Sequence, residues 1–282
     1  MHSIVRSCDA MATRFEMQLI GDDDEHLDAV AHAIAAEIER LDRLLSRFDP
    51  RSEVSRINRL AAREPVIVDA ELCALLVTCV EAAKTTGNFF SIVAQDHHLA
   101  DPMAIELDTV HRTVAFASAA VRLDFGAIGK GYALDRAAEI LHTYGVESAL
   151  LHGGTSSILA LGTDLEGQPW RVGIAEPWID ARPTRPELAR VTLLDQAMST
   201  SAALAPDRTE SDIFDPTTGR RLTAQCSCSV VAPTVTEAEI LSTALLAMGR
   251  QQAAAYTELH RKGPCAVAWI SVENGAAKLA WL

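Results

Sequence analysis

The chain has 282 residues, of which 49% are hydrophobic and 22% are charged, and this composition is typical of a soluble globular protein with a substantial core. Its formal net charge of −13 argues against a nucleic-acid-binding surface, which needs a basic stripe. No stretch approaches the roughly 18 apolar residues of a membrane helix, and no signal peptide is visible. We therefore expect a cytoplasmic protein with no nucleic-acid partner and no membrane span, whose six cysteines are reduced.

The first half of the chain predicts strands and helices in a mixed order. Residues 14–20 alternate apolar and polar side chains, which is typical of a strand. From Glu25 onward apolar residues recur at helical spacing, and this stripe predicts a long helix packed into the core. The stripe consists of Leu27, Val30, Ile34, Ile38, Leu41 and Leu45. The next predicted elements are a short helix at Ser52–Leu60, a strand at Val66–Val68, a helix capped by Asp69, and a strand from Val121 that leads into another helix.

Two adjacent histidines, His97 and His98, stand in a predicted loop and raise the question of a metal site. Adjacent side chains rarely point at one ion, and no third ligand in an HExxH or similar frame accompanies them. Exposed loop histidines are therefore the favoured interpretation.

The second half of the chain is richer in strands. The predicted strands are Glu147–Leu151, Ile158–Leu161, Trp170–Ala175, Arg190–Leu194, Cys226–Val231, Cys265–Val272 and Lys278–Leu282, and the predicted helices are Thr236–Met248 and Gln251–His260. Strands and helices mix without strict alternation, which favours an α+β fold over a doubly wound sheet. The last strand is expected at a sheet edge or as a closing partner. We expect residues 1–282 to form a single domain, with two intertwined subdomains as the alternative.

A glycine-rich turn lies between the strand that begins at Val121 and the helix after it. Its sequence, VRLDFGAIGKGYALDR, places three glycines around Lys130 and an acceptor, Asp124, at the end of the strand. Glycines let a ligand approach the backbone, and the first turn of a helix offers free N–H groups to an anion. The spacing is not that of a Walker A loop. A phosphate site and a plain strand-to-helix turn with a solvated lysine both remain open.

Three other segments carry polar groups that suit a phosphate or a cation. Small hydroxyl side chains at Met198–Ala202 follow a strand and either donate to phosphate or form a polar turn. The residues Asp212–Gly219 end in a DPxTG pattern that predicts a tight bend. Thr236 and Glu239 match a capping box, and Glu239 and Thr243 lie one helical turn apart, so both are able to face one cation.

These segments occur in a recognisable order, and the chain resembles the FAD:protein FMN transferase family, the ApbE-type flavin transferases. The matching segments are Met11–Thr13, Ser46–Asn58, Asp124–Asp135, Gly153–Gly154, Thr200–Ser201, Ile213–Gly219 and Glu239–Gly249. They span nearly the whole chain, and the ordered set is more specific than any single segment.

The resemblance implies an architecture and a reaction. The architecture is α+β, with mixed, largely antiparallel sheets and packed helices, in the ApbE-like (T-fold-like) arrangement. The implied enzyme cleaves FAD with Mg²⁺ at the pyrophosphate. It transfers FMN to a Ser or Thr hydroxyl of an acceptor flavoprotein and releases AMP.

The resemblance also implies the residues of the site. Those expected to line the flavin nucleotide are Met11, Phe48, Asn88, Phe89, Phe90, Asp124, Lys130, Thr200, Ser201 and Ile213. The expected metal ligands are the backbone carbonyl of Ala127 and the side chains of Glu239 and Thr243. Lys130 and Asp212 are the expected catalytic residues, because a cation stabilises charge on a transferring phosphoryl group and an aspartate accepts a proton.

The chain departs from the family pattern at several of these positions. Asp212 stands where the family usually has a histidine, Glu239 where it has an aspartate, and Phe90 where a carboxylate is usual. An aspartate with an unperturbed pKa of about 3.9 is a weaker base than a histidine at about 6.5. Other hypotheses therefore stay open: an FAD-binding protein with weak or no transfer activity, an FAD pyrophosphatase, or a phosphate-binding enzyme for an unrelated substrate.

Overall fold

A computed structural model describes residues 1–94, 104–177, 187–204, 211–260 and 266–282. The helices are α1 (Asp24–Leu45), α2 (Glu53–Leu60), α3 (Ala70–Thr85), α4 (Gly129–Thr143), α5 (Val235–Met248) and α6 (Arg250–Leu259). The strands are β1 (His2–Ala10), β2 (Thr13–Gly21), β3 (Val66–Ile67), β4 (Val93–Ala94), β5 (Ile105–Asp108), β6 (Thr113–Phe116), β7 (Arg122–Leu123), β8 (Ser148–Gly153), β9 (Ser157–Leu161), β10 (Trp170–Ala175), β11 (Glu187–Leu193), β12 (Gln196–Ala202), β13 (Phe214–Asp215), β14 (Arg220–Arg221), β15 (Cys226–Ala232), β16 (Ala266–Glu273) and β17 (Ala276–Trp281). His97, His98 and Cys265 lie outside the described residues. None of the described helices combines the length and apolar character needed to cross a bilayer.

An antiparallel sheet of eight strands forms the centre of the fold. Its strand order is β1-β2-β8-β9-β12-β15-β16-β17, and every neighbouring pair is antiparallel. This sheet together with packed helices confirms the predicted α+β class. The C-terminal strand β17 lies at one edge, as the sequence predicts, and β1 lies at the other.

Both faces of this sheet are covered. Helices α1, α4 and α5 pack on one face. The first five members of the apolar stripe predicted for α1, from Leu27 to Leu41, are buried there, along with Phe15, Met17 and Leu19 of β2. The last member, Leu45, is also buried, but it packs with α2 and α3. On the other face the hairpin β10–β11 buries Trp170 and Val172. The predicted stripe is therefore confirmed as a core-forming feature.

A second core lies beside the main sheet. It is built from α2, α3 and the short strands β3 to β7. Ile240 and Ala244 of α5 are buried in this second core, while Val235 at the start of the same helix is buried with α1 and α4. Helix α5 therefore contributes side chains to both cores.

A network of charged side chains also joins the two cores. Glu71 in the first turn of α3 accepts hydrogen bonds from Arg40 of α1 at 2.8 Å and from the Tyr132 hydroxyl of α4 at 3.1 Å. Arg136 of α4 lies 3.7 Å from Glu71 and 3.6 Å from Glu37. The hydrogen bond from Arg40 lowers the pKa of the Glu37 carboxyl. These contacts hold α1, α3 and α4 in one arrangement.

The start of α5 differs from the sequence prediction. A capping box would join Thr236 and Glu239. In the structure the N-cap residue is Thr234, whose hydroxyl accepts the Glu237 N–H at 3.2 Å. The predicted box is wrong because the helix begins before Thr236. The Glu239 side chain is consequently available for contacts outside its own helix.

Asp135 of α4 completes the cap of α5. Its carboxylate accepts the backbone N–H groups of Val235 at 2.8 Å and Thr236 at 2.9 Å. Burial raises the pKa of the Asp135 carboxyl, and the hydrogen bonds from Thr236 oppose that shift. A carboxylate near a helix N-terminus is stabilising, so this contact fixes α4 against α5.

Two strands of the eight-stranded sheet, β1 and β12, do not follow from the sequence patterns. Strand β1 is an edge strand in which only Ile4 and Ala10 are buried, so its alternation is weak. The sequence places the hydroxyl residues 198–202 after a strand, but in the structure they lie within β12, between β9 and β15. The prediction of a turn for these residues is therefore wrong. They form a central strand of the sheet, which accommodates small hydroxyl side chains on both of its faces.

We predict that Asp135→Ala lowers the free energy of unfolding by about 1–3 kcal/mol, because two N–H groups at the start of α5 lose their acceptor. Urea denaturation followed by circular dichroism measures the change. The control is Glu64→Ala, an exposed carboxylate in a loop, for which the change is expected within about 0.5 kcal/mol. Equal effects of the two substitutions would contradict the assigned role of Asp135.

Candidate functional site

A cleft of about 1620 Å³ is lined from both cores. One wall comes from the α1–α2 turn, the end of α3 and the β7–α4 turn, and the other from β12, α5 and the hairpin β13–β14. The predicted site residues on this lining are Phe48, Asn88, Phe89, Asp124, Ala127, Lys130, Thr200, Ser201, Asp212, Ile213, Glu239 and Thr243. The fold thus brings together residues that are widely separated in sequence.

Met11 and Phe90 are the predicted site residues that do not line this cleft. The Phe90 side chain is fully buried in the second core. Met11 and Ala12 form the turn between β1 and β2, both with positive φ, at 51° and 55°. Met11 lines a separate shallow depression, and its sulfur lies 3.8 Å from where a Cβ on Gly129 would be. Both side chains therefore pack near the elements of the cleft without facing it.

Glu239 presents a buried carboxylate to the cleft. Its Oε2 accepts the Gly131 N–H at 2.7 Å, and its Oε1 accepts the Ser157 hydroxyl at 2.5 Å. The Lys130 ammonium lies 3.3 Å from Oε1, and the Glu239 side chain is only 4% exposed. A buried carboxylate is tolerated when it is paired and hydrogen-bonded. These three contacts join α4, β9 and α5 at one point.

The glycine at position 131 is required for this arrangement. A Cβ on Gly131 would lie 2.7 Å from Glu239 Oε2 and 2.8 Å from the Val235 carbonyl oxygen. Because the Gly131 N–H donates to Glu239, it does not close the helical hydrogen bond to the Ala127 carbonyl. Among the described residues no other donor reaches that carbonyl. Ala127 therefore contributes an unpaired oxygen to the lining of the cleft.

The hydroxyl side chains of β12 point to opposite faces of the sheet. Ser201 Oγ lies 2.9 Å from Ser242 Oγ and 3.1 Å from Thr243 Oγ1, both on α5. Thr200 pairs instead with Ser229 of β15, at 2.8 Å between the oxygens. Neighbouring residues of a strand alternate between faces. Ser201 and Thr243 consequently form one polar group, and Thr200 belongs to another.

The hairpin β13–β14 forms part of the second wall. The Asp212 side chain is 74% exposed, and its Oδ1 lies 3.7 Å from Arg221 Nη1. The predicted bend after Asp215 is confirmed: Asp215 accepts the Thr217 hydroxyl at 2.6 Å, and Gly219 has a φ of 67°. The hydrogen bond from the Thr217 hydroxyl lowers the pKa of the Asp215 carboxyl. The bend is thus stabilised by its own side chains.

Several residues that shape the site have no predicted role. Asn58 bonds both backbone groups of Leu123, donating to its carbonyl at 3.0 Å and accepting its N–H at 2.7 Å. Asn58 is the last residue of the segment Ser46–Asn58, which matches the family pattern. That match is the sequence signal for its importance. Ser157 lies 82 residues from its partner Glu239, and no pattern in the local sequence predicts that contact.

The charged groups on the cleft lining include one buried carboxylate, that of Glu239. Among the described residues no group of three or more His, Cys, Asp or Glu side chains is placed to hold a metal ion. The Ala127 carbonyl and the Thr243 hydroxyl are further oxygen ligands on the lining of the same cleft. Oxygen ligands of this kind suit a hard cation such as Mg²⁺, whose remaining coordination positions are filled by water or by substrate phosphates.

Residues 11–268 match the sequence model described as the ApbE family. A curated relative, the FAD:protein FMN transferase of Klebsiella pneumoniae, is 25% identical over 308 residues, covering 96% of this chain and 85% of the relative. The FAD:protein FMN transferase of Treponema pallidum is 28% identical over 273 residues, covering 80% of this chain and 74% of the relative. The solved structure of flavin transferase ApbE from Vibrio cholerae matches with a TM-score of 0.83 at 21% identity, covering 99% and 97% of the two chains. This structural likeness shows a shared fold.

We predict that Gly131→Ala destabilises the protein, although Gly→Ala inside a helix normally stabilises by about 0.5–1 kcal/mol. The new methyl group would overlap Glu239 and a backbone oxygen, at an expected cost of about 1–3 kcal/mol. Thermal or urea unfolding measures the sign. The matched control is Gly173→Ala in β10, where a Cβ would meet only the Glu187 side chain at 3.4 Å. A stabilising effect of Gly131→Ala would contradict the close approach of Glu239.

Proposed function

Because the chain belongs to the ApbE family, we propose that it is an Mg²⁺-dependent flavin transferase. In this proposal it cleaves FAD, transfers FMN to a Ser or Thr hydroxyl of an acceptor flavoprotein, and releases AMP. The observation that carries the proposal is the group formed by Lys130, Glu239, the Ala127 carbonyl and Thr243 on the lining of one cleft. This group supplies a cation and oxygen donors where a pyrophosphate has to be held.

The residues present fit a magnesium ion that is shared with the substrate. Mg²⁺ usually binds through one or two carboxylates together with substrate phosphates and water. We propose the Glu239 carboxylate, the Thr243 hydroxyl and the Ala127 carbonyl as its ligands. The Ala127 oxygen has no donor among the described residues, and the carboxylate retains acceptor capacity beyond its three contacts. When bound, the ion supplies positive charge to the pyrophosphate oxygens.

The proposed reaction is a transfer of one phosphoryl group. The hydroxyl oxygen of the acceptor bonds to the phosphorus of the FMN half, and the bond from that phosphorus to the bridging oxygen breaks. AMP leaves with the bridging oxygen, and the hydroxyl proton passes to a base, for which we propose the Asp212 carboxylate. Asp212 lines the cleft and is mostly exposed, so it is accessible to an acceptor entering from solvent.

We propose that Lys130 stabilises the charge that develops on the phosphoryl oxygens. Its ammonium has three N–H donors, and the described contact uses one, toward Glu239 at 3.3 Å. The pairing with Glu239 holds the ammonium in place before substrate binds. A hydrogen-bond donor that is already in position increases the reaction rate by a large factor, because the site needs little reorganisation to reach the transition state.

The cleft lining also supports roles for the other residues on it in binding FAD. Phe48, Asn88, Phe89 and Asp124 belong to the first wall of the cleft, and Ser201 and Ile213 belong to the second. We propose that the first group holds the flavin. Thr200 remains a proposed contact from the lining, although its hydroxyl pairs with Ser229.

A second candidate function is FAD binding with weak transfer, or FAD hydrolysis. The observation that favours it is the exposed carboxylate of Asp212 where the resemblance expects a histidine. An exposed base accepts a proton from water as readily as from a protein hydroxyl, so water competes with the acceptor. AMP release without an added acceptor distinguishes this candidate from transfer.

We predict that the protein releases AMP from FAD in the presence of Mg²⁺ and that EDTA abolishes the release. Lys130→Ala is expected to lower the rate by about 100-fold, because one positioned charge is lost. Chromatography of the nucleotide products, with and without a Ser- or Thr-containing acceptor protein, measures both effects.

The control variant is Lys278→Ala, which removes an exposed lysine of β17 paired with Glu273 at 3.0 Å. Its rate should equal that of the wild type. Failure of the wild-type protein to form AMP above the level of Lys130→Ala would contradict the proposed function.

A further inference from the structure

Arg47 has no assigned role in FAD binding, yet it contacts two residues proposed to hold the flavin. It lies in the turn between α1 and α2, directly before Phe48. The backbone of this turn is fixed from both sides: Ser46 Oγ accepts the Phe48 N–H at 3.2 Å, and Ser55 Oγ donates to the Arg47 carbonyl at 3.2 Å. The position of Arg47 is therefore determined by the fold of the turn.

The first contact of the Arg47 side chain is with Asp124, across the cleft lining. The Arg47 Nε lies 2.8 Å from Asp124 Oδ2. The other carboxylate oxygen, Oδ1, accepts the Gly126 N–H at 2.9 Å. With one oxygen held by the guanidinium and the other by the backbone, the plane of the Asp124 carboxylate is fixed.

The second contact is with the ring of Phe48. The guanidinium carbon lies 4.3 Å from the ring centroid, which is a cation–π distance. The Phe48 side chain is otherwise solvent-facing, with 79% of the residue exposed. Stacking against Arg47 is thus the described contact that restricts this ring at the cleft.

Stability alone does not account for this arrangement. The Arg47 side chain is 43% exposed and the Asp124 side chain 34%. Exposed ion pairs contribute little to folding because water and salt screen them. The contacts of Arg47 instead place two features in the same cleft. One is the Asp124 carboxylate, a hydrogen-bond acceptor whose charge is balanced by the guanidinium, and the other is the flat apolar ring of Phe48. A planar heterocycle with polar N–H or O–H groups at its edge is the ligand chemistry that such a pair matches.

We propose that Arg47 is a positioning residue for the flavin end of FAD. It orients the Asp124 carboxylate toward a donor of the flavin or its ribityl chain, and it holds the Phe48 ring for stacking. It also offsets the negative charge of Asp124, which would otherwise repel an anionic nucleotide. This inference rests on the proposed function, since it presumes that the cleft takes FAD.

The test compares the binding of FMN and of ADP, the two halves of the ligand, by isothermal titration calorimetry. Arg47→Gln is expected to weaken FMN binding by about tenfold, which corresponds to the loss of a cation–π contact and an oriented acceptor. ADP binding should change by less than about twofold. Arg47→Lys should not restore FMN binding, because an ammonium lacks the planar guanidinium that lies over the Phe48 ring while its Nε contacts Asp124.

A double-mutant cycle tests whether Arg47 acts through Asp124. In an Asp124→Asn background, Arg47→Gln should weaken FMN binding by clearly less than it does in the wild type. In steady-state AMP release from FAD, the KM should rise while kcat stays within about twofold. The control is Arg43→Gln, an exposed arginine of α1 outside the cleft lining, which should leave every value unchanged.

Unchanged FMN binding in Arg47→Gln would overturn the inference, as would an equal loss of ADP binding, which would indicate direct phosphate contact. If the wild type releases AMP from FAD and Arg47→Gln gives the same binding and kinetic values, this inference fails and the proposed function stands. If the wild-type protein neither binds FAD nor releases AMP, the proposed function fails with it.

Discussion

The arrangement of the cleft depends on the buried carboxylate of Glu239. Removing a charge from water costs several kcal/mol, and a protein retains such a group only when donors surround it. Here the donors come from two elements: the Gly131 N–H and the Lys130 ammonium from α4, and the Ser157 hydroxyl from β9. A change in the position of either partner element would deprive the carboxylate of at least one of these donors. The glycine turn, β9 and α5 are therefore held in register by one side chain.

The same contact bears on the other oxygen groups of the cleft that we propose as metal ligands. Drawing the Gly131 N–H toward Glu239 frees the Ala127 carbonyl, and the helical position of Glu239 places Thr243 one turn further along α5. Helix α5 is in turn fixed by the Asp135 carboxylate at its start and by apolar side chains in both cores. The charge that is costly to bury thus organises the groups proposed to bind a metal ion.

Local patterns were sufficient for some features of this protein and insufficient for others. The apolar stripe of α1, the bend after Asp215 and the glycine turn follow from spacing and turn chemistry, because their interactions are short in sequence. The capping box at Thr236 fails because the helix has another cap, and the hydroxyl residues of β12 form a strand because neighbours distant in sequence pair with them on both sides. Phe90 occupies a motif position where the family usually has a carboxylate, and the turn after α3 directs its side chain into the second core. Most of the site residues implied by the resemblance lie on the cleft lining. The contacts of Ser157, Asn58 and Arg47 appear only in three dimensions.

We propose that the carboxylate of Glu239 both fixes α4 and participates in metal-dependent cleavage of FAD. The most direct test is the rate of AMP release from FAD as a function of Mg²⁺ concentration, for the wild type and Glu239→Gln. Glutamine keeps the size of the side chain and removes its charge. We therefore expect the Mg²⁺ concentration for half-maximal rate to rise at least about tenfold, a cost of roughly 1.4 kcal/mol. An unchanged Mg²⁺ dependence in a folded Glu239→Gln protein would show that this carboxylate does not take part in metal binding.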